Sequence, residues 1–158
     1  MKINHHCDIN MNEKETTLEK LIAIDDYDSA LSMMDNGVGS INSTDRTGMT
    51  LLMRAIVNKD TLQIKKLLGR GADVRKQDSK GMTALHFAAS GGYLDGAKLL
   101  VEEGVEINSQ ENNGNTAAHR AYAFRTGDHK AVLDFLIAKG IDLSIKNHAG
   151  VAVKDLLG

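Results

Sequence analysis

Four side chains able to bind a metal stand together near the start of the chain. The run His5-His6-Cys7-Asp8 offers imidazole, thiolate and carboxylate ligands at adjacent positions. It lies in a polar stretch ahead of the first helical pattern, where such residues commonly occur without a ligand. We therefore expect residues 1–15 to be a flexible tail and the chain to need no metal or other cofactor. Metal binding by this tail is the alternative.

Two other histidines stand 33 residues apart in similar surroundings, His86 in GMTALHFAASGG and His119 in GNTAAHRAYAF. Each is a possible base or zinc ligand. Equivalent side chains on packed helices lie about 8–10 Å apart, too far to share a zinc held about 2 Å from each nitrogen. The sequence also contains no phosphate-binding glycine loop and no G-x-S-x-G nucleophile motif. We predict that the protein is not an enzyme.

The two histidines belong to an internal repeat. Full blocks occupy residues 45–77, 78–110 and 111–146, the last with three extra residues, and a fourth block starts at 147. Certain residues recur at the same places in the blocks, namely Gly48, Gly81 and Gly114, and Thr50, Thr83 and Thr116. Threonine N-caps, apolar spacing and closing glycines predict two short helices in each block. The predicted spans are 50–58, 61–70, 83–90, 94–103, 116–125, 129–139 and a last helix at 151–157.

The frame D-x-x-G-x-T-x-L-H-x-A-A and the ending L-L-x-x-G-A, best seen in block 78–110, resemble ankyrin repeats. The resemblance implies an all-α solenoid of stacked helix–turn–helix units with β-hairpin fingers over residues 16–158. Residues 16–44 would be an N-terminal cap repeat and 147–158 a truncated C-terminal cap. The histidines His86 and His119 would be structural, as would the recurring glycines and threonines. The chain departs from the family pattern at Lys59, where the glycine between the two helices is expected.

In proteins of this family, partners bind the fingers and the concave face of the inner helices. Carried over residue by residue, the resemblance predicts a protein-binding surface. Its residues are Arg46, Met49, Arg54, Asn58, Lys80, Met82, Phe87, Ser90, Asn113, Asn115, Arg120, Phe124 and Arg125. For Phe87, packing between repeats is an equally favoured interpretation, and the two arginines Arg54 and Arg120 could instead be solvated.

Charge is distributed unevenly along the chain. Residues 1–44 carry three Lys or Arg against eight Asp or Glu, and residues 45–77 carry eight against three. We interpret this alternation as suiting a surface that reads a partner's charge pattern. We expect an inhibitor, adaptor or scaffold that is monomeric on its own, cytoplasmic, and not bound to membranes. One alternative is a bacterial immunity protein that neutralises a toxin or enzyme. A less favoured alternative is a nucleic-acid or nucleotide binder that uses the basic block 45–77.

Overall fold

The structure is a computed structural model that describes residues 11–124 and 128–158. Its helices follow one another along the chain as consecutive pairs, and a single helix comes after the last pair. They are α1 (Met11–Ala23), α2 (Tyr27–Asp35), α3 (Leu51–Val57), α4 (Thr61–Gly69), α5 (Ala84–Ser90), α6 (Leu94–Glu102), α7 (Ala117–Phe124), α8 (Asp128–Ala138) and α9 (Val153–Leu157). The all-α repeat architecture predicted from the sequence is confirmed. In the described ranges the fingers are tight turns, and β-pairing is limited to isolated bridges, at Thr44–Thr50 and Lys146–Ala152.

Local sequence signals set where the helices begin and end. The side chain of Thr50 accepts a hydrogen bond from the Met53 N–H and caps α3, and Asp60 caps α4 through the Gln63 N–H. The second helix of each full block is followed by a glycine with positive φ, as at Gly71, where φ is 81°. The helices therefore agree with the sequence prediction to within one or two residues at most ends.

The helices stack in two layers. The first helices of successive units, α3, α5, α7 and α9, pack against one another, and the second helices α4, α6 and α8 form a parallel outer row. Aliphatic side chains such as Ile56, Leu85, Leu100 and Leu136 are fully buried between them. Each helix pair buries its apolar side against its neighbours, which is how a solenoid is stabilised.

The structure differs from the sequence prediction in helix α1 and in the third full block. Helix α1 begins at Met11, so residues 11–15 are helical, although the sequence placed them in the tail. In the third full block, α7 is one residue longer than α5, and the predicted helix end at Arg125 falls outside the described residues. The His5-His6-Cys7-Asp8 run lies outside them too. Among residues 11–124 and 128–158, no helix is both long and apolar enough to cross a membrane.

Candidate partner-binding face

The first repeat histidine connects two repeats. The backbone N–H of Thr83 donates to His86 Nδ1 at 3.1 Å, and His86 Nε2 lies 3.0 Å from the carbonyl oxygen of Asn115. Because a backbone N–H can only donate, Nδ1 carries no proton and the Nε2–H donates to Asn115 in the next repeat. The imidazole is therefore neutral, and both of its nitrogens are engaged.

His119 repeats this arrangement one block later. Its Nδ1 accepts from the Thr116 N–H at 3.1 Å, and its Nε2 lies 3.0 Å from the carbonyl oxygen of Val151 in the last repeat. For His86, burial lowers the pKa, and the positive charge of Arg120 lowers it further. Neither ring has a nitrogen left for a metal or for proton transfer to a substrate.

The recurring finger glycines lie where successive fingers touch. Gly48 has φ of 80°, and a Cβ atom there would lie 2.7 Å from the backbone nitrogen of Ser79. Gly81 and Gly114 also have positive φ, and an added Cβ would meet the next finger at similarly short distances. Only glycine combines this backbone conformation with so close an approach. The glycines thus set the spacing of the fingers.

Backbone hydrogen bonds join the fingers into one ladder. The Ser79 N–H donates to the Thr47 carbonyl at 3.0 Å, and the Asn112 N–H donates to the Lys80 carbonyl at 2.9 Å. The His148 N–H likewise donates to the Asn113 carbonyl at 2.9 Å. The finger tips are therefore held at a fixed repeat distance, so their side chains form an ordered row.

The first finger begins with a carboxylate that serves two purposes. Asp45 Oδ1 accepts the N–H groups of Thr47 and Met49 at 2.8 and 3.1 Å, and Oδ2 pairs with the Arg54 guanidinium at 2.5 Å. Burial raises the pKa of Asp45, but the hydrogen bonds from Thr47 and Arg54 outweigh it and hold the pKa below its ordinary value. Asp45 is therefore ionised and locks the finger onto the inner helix α3.

In the third finger, Glu111 has the role that Asp45 has in the first finger. Glu111 accepts the backbone N–H and the side-chain amide of Asn115 at 3.0 and 2.7 Å, and Arg120 pairs with its other oxygen at 3.3 Å. Burial raises the pKa of Glu111, but the Asn115 bonds and Arg120 together lower it. The Glu111 and Asp45 side chains are 1% and 2% exposed. Arg54 and Arg120 are thus half-buried partners of acids in their own repeats, and are neither free cations nor fully solvated.

The other residues predicted to bind a partner are placed unevenly. Exposed ones are Arg46, Asn58, Lys80, Asn113 and Phe124, and half-buried ones are Met49, Phe87, Ser90 and Asn115. Met82 is only 8% exposed, so the expectation that it faces a partner is corrected. Its burial is favourable because it removes apolar surface from water. Arg125 lies outside the described residues.

Sequence reasoning missed one exposed apolar residue and one ionic pattern. Val57, at the end of α3, is 49% exposed beside Asn58. The acid–arginine spacing of nine residues occurs in both Asp45–Arg54 and Glu111–Arg120, and this coincidence was the signal available in the sequence. We define the finger face as the finger tips around Arg46, Lys80 and Asn113 together with the exposed side of α3, α5 and α7.

The acidic cap and the basic block are neighbours that pair with each other. Ion pairs join Lys66 of α4 to Asp28 at 3.2 Å, and Arg70, directly after α4, to Asp35 at 2.9 Å, both acids lying on α2. Arg46 and Arg54 also approach cap acids, Glu19 at 3.8 Å and Asp25 at 3.9 Å. Four of the eight basic residues in block 45–77 therefore have a cap acid within ion-pair distance. The charge alternation serves contacts between units of this chain.

A family model described as ankyrin repeats, in three copies, matches residues 52–147, which is more than half of the chain. The protein therefore belongs to the ankyrin-repeat family. Ankyrin repeats are a generic protein–protein interaction module. This family assignment agrees with the stacked helix pairs, the finger ladder and the histidine clamps.

Two kinds of curated relative illustrate the likeness. The Notch-regulated ankyrin repeat-containing protein A of Danio rerio is 36% identical over 67 residues, which are 42% of this chain and 60% of the relative. Its Homo sapiens counterpart is also 36% identical over 67 residues and is covered to 59%. A putative ankyrin repeat protein of Rickettsia felis is 50% identical over 44 residues, which are 28% of this chain and 70% of that protein. The chain thus spans about 60% of the Notch-regulated relatives it matches.

Proposed function

We propose that this protein is a non-catalytic binding module that holds a protein partner on the finger face. The observation that supports it is that some residues of each repeat hold the fold together while others are exposed to solvent. The recurring glycines, threonines and histidines hold the fold together, whereas Arg46, Lys80 and Asn113 are exposed on fingers that backbone hydrogen bonds join. Exposed apolar side chains are present on the same inner helices, with Val57 at the end of α3 and Phe124 at the end of α7. Apolar and aromatic groups beside polar ones are the composition of an interface centre and its rim.

The role of such a module is to inhibit, adapt or scaffold its partner. A bacterial immunity protein that neutralises a toxin or enzyme would be one such inhibitor, and this alternative stays a prediction. Nucleic-acid binding through block 45–77 has weaker support, because half of its basic side chains lie beside acids of the cap. A nucleic-acid binder would lose affinity steeply as salt is added.

Affinity capture from a lysate of the source cells, followed by mass spectrometry, tests the proposal. A finger-face variant carries Arg46→Gln, Val57→Gln and Lys80→Glu, which leave the buried ion pairs intact. A matched outer-helix variant carries Leu62→Gln, Lys65→Gln and Lys98→Glu, which are exposed positions on α4 and α6 and change the net charge by the same amount. We expect one protein to be captured by the native chain and the outer-helix variant and lost by the finger-face variant. If only the outer-helix variant fails to capture the protein, the binding site lies on the outer helices and not on the finger face.

A further inference from the structure

We propose that the middle repeat holds a place for an arginine side chain of the partner, between Asp78 and Phe87. This inference rests on the proposed function and specifies the chemistry of the partner. It follows from comparing two equivalent positions in successive repeats. One is the residue that begins each finger, and the other lies nine residues later on the inner helix.

In the first and third full repeats, these two positions form an ion pair inside the chain. Arg54 reaches Asp45, and Arg120 reaches Glu111 at 3.3 Å. Both carboxylates are almost completely buried. A side chain at the inner-helix position is thus long enough, when it is arginine, to cover the acid of its own finger.

The middle repeat keeps the acid and has Phe87 in place of the arginine. Asp78 Oδ1 accepts the N–H groups of Lys80 and Met82, both at 2.9 Å, as Asp45 does in its own turn. No donor within residues 11–124 and 128–158 reaches Asp78 Oδ2, and no cation there pairs with it. Asp78 is accordingly half-exposed, unlike its two buried equivalents.

The turn by itself does not require a negative charge at this position. In the last finger, Asn147 Oδ1 accepts the N–H groups of Ala149 and Val151, both at 3.0 Å. An amide therefore makes the same two bonds, and the residue nine positions later, Leu156, brings no cation. The charge of Asp78 exceeds what its finger needs.

An arginine from a partner has the shape and charge that this place lacks. A planar guanidinium can donate to the open Oδ2 of Asp78 while it stacks on an aromatic ring, and the ammonium of lysine has no flat face with which to stack. A guanidinium bound to Asp78 would lie beside Phe87, because Arg54 reaches Asp45 from the equivalent position on its own helix. The flanking Arg54 and Arg120 are each paired with an acid, so their repulsion of an incoming cation is weakened. Arginine is also enriched among the residues that dominate binding energy at interfaces.

Selection of a phage-displayed library of random dodecapeptides on the immobilised full chain tests the inference. We expect the recovered peptides to be enriched in arginine over the starting library. Their affinity should fall at least about tenfold on Asp78→Asn, which corresponds to losing one desolvated ion pair. It should fall several-fold when the peptide arginine is changed to lysine. Asp95→Asn, at an exposed acid on α6, is the matched control and should change nothing.

A second variant provides Asp78 with an arginine from the chain itself. Phe87→Arg should pair with Asp78 as Arg54 pairs with Asp45, and binding of the selected peptides should be lost. Its internal pairing is checked by thermal unfolding. Asp78→Asn should lower Tm by about 2 °C more in the Phe87→Arg background than in the native one, a shift typical of one modest interaction in a domain of this size.

Three results would overturn the inference: selected peptides without arginine enrichment, peptides that bind Asp78→Asn as well as the native chain, and no binders at all. The finger-face variant separates this failure from failure of the proposed function. Peptides that are lost on that variant but ignore Asp78→Asn would leave the finger face as the binding site and remove only the arginine. Peptides that ignore both variants would contradict both proposals.

Discussion

The His86 side chain donates from Nε2 to the carbonyl oxygen of Asn115, 29 residues later, across a distance of 3.0 Å. Its other nitrogen accepts from the Thr83 N–H at its own helix start. One neutral ring therefore satisfies two backbone groups in two different repeats. Truncation of this ring removes both bonds and leaves a cavity in a fully packed place.

His86→Ala should destabilise the protein by about 2–4 kcal/mol, the sum of a core truncation and unsatisfied backbone groups. Urea unfolding followed by circular dichroism measures the change. His148→Ala is the control, because His148 is exposed, and its effect should be within about 0.5 kcal/mol. An equal loss in both variants would show that His86 does not clamp the repeats.

The lowered pKa of His86 predicts that stability falls in mildly acidic solution. The unfolded chain binds a proton near pH 6.5, whereas the folded chain resists protonation because of burial and Arg120. The contribution of His86 is therefore complete above pH 6.5 and is lost progressively as the pH falls below that value. The lowered pKa values of Asp45 and Glu111 act in a separate window, because their ordinary values are 3.8 and 4.5.

Urea midpoints measured at half-unit steps from pH 7.5 to pH 5 would reveal this dependence. His86→Asn should flatten the profile in that range, since it removes the titrating group. A profile that stays equally steep in His86→Asn would assign the dependence to another histidine.

The repeat fold was predictable because its signals are local. A threonine cap, a helix stop and an apolar stripe are each read within ten residues, and the 33-residue period places them in register. The early start of α1 was not predictable, because residues 11–15 lack an apolar stripe although MNEKE favours a helix.

The candidate site was less predictable, because exposure of a polar side chain depends on neighbours in space. Arg54 in the sequence has the character of a recognition residue, and only the repeated nine-residue spacing from an acid pointed to its ion pair with Asp45. Met82 was predicted to be a finger residue that faces a partner, yet its side chain is almost completely buried. The uneven charge distribution likewise is explained only by the fold, which brings acids of α2 within ion-pair distance of basic residues in and directly after α4.

Lys59 occupies a place that favours glycine. Its φ is 55°, and the equivalent residue in the next block is Gly92, with φ of 61°. Because the left-handed conformation is costly for a side chain with Cβ, Lys59→Gly should stabilise the protein by up to about 1 kcal/mol. Gly92→Ala should have the opposite effect, since the added Cβ would also lie 3.1 Å from the Asp128 Cβ. Thermal unfolding of both variants checks the prediction, and a lower Tm for Lys59→Gly would contradict it.

The pairing of cap and first repeat predicts a salt-dependent stability. Arg70→Glu places a carboxylate opposite Asp35 and should cost up to about 1 kcal/mol at low ionic strength, as expected for an exposed pair. The loss should shrink in 0.5 M NaCl, because exposed charges are screened. Adding Asp35→Arg should restore stability by re-forming the pair in reverse. A loss that neither salt nor the second substitution relieves would indicate a packing effect of Arg70 instead.

The buried acid of the third finger predicts a stronger effect at Arg120. Arg120→Ala leaves the Glu111 carboxylate buried without its cation, while its hydrogen bonds from Asn115 remain. We expect a loss of about 2–3 kcal/mol, below the range for fully buried pairs because Arg120 is 31% exposed. Glu111→Gln added to Arg120→Ala should recover most of the loss, since an amide needs no counter-charge and can accept the same bonds, as Asn147 does in the last finger. Chemical denaturation of the two single variants and the double variant gives the coupling directly. If the losses of the single variants simply add in the double variant, Arg120 and Glu111 do not act as a pair.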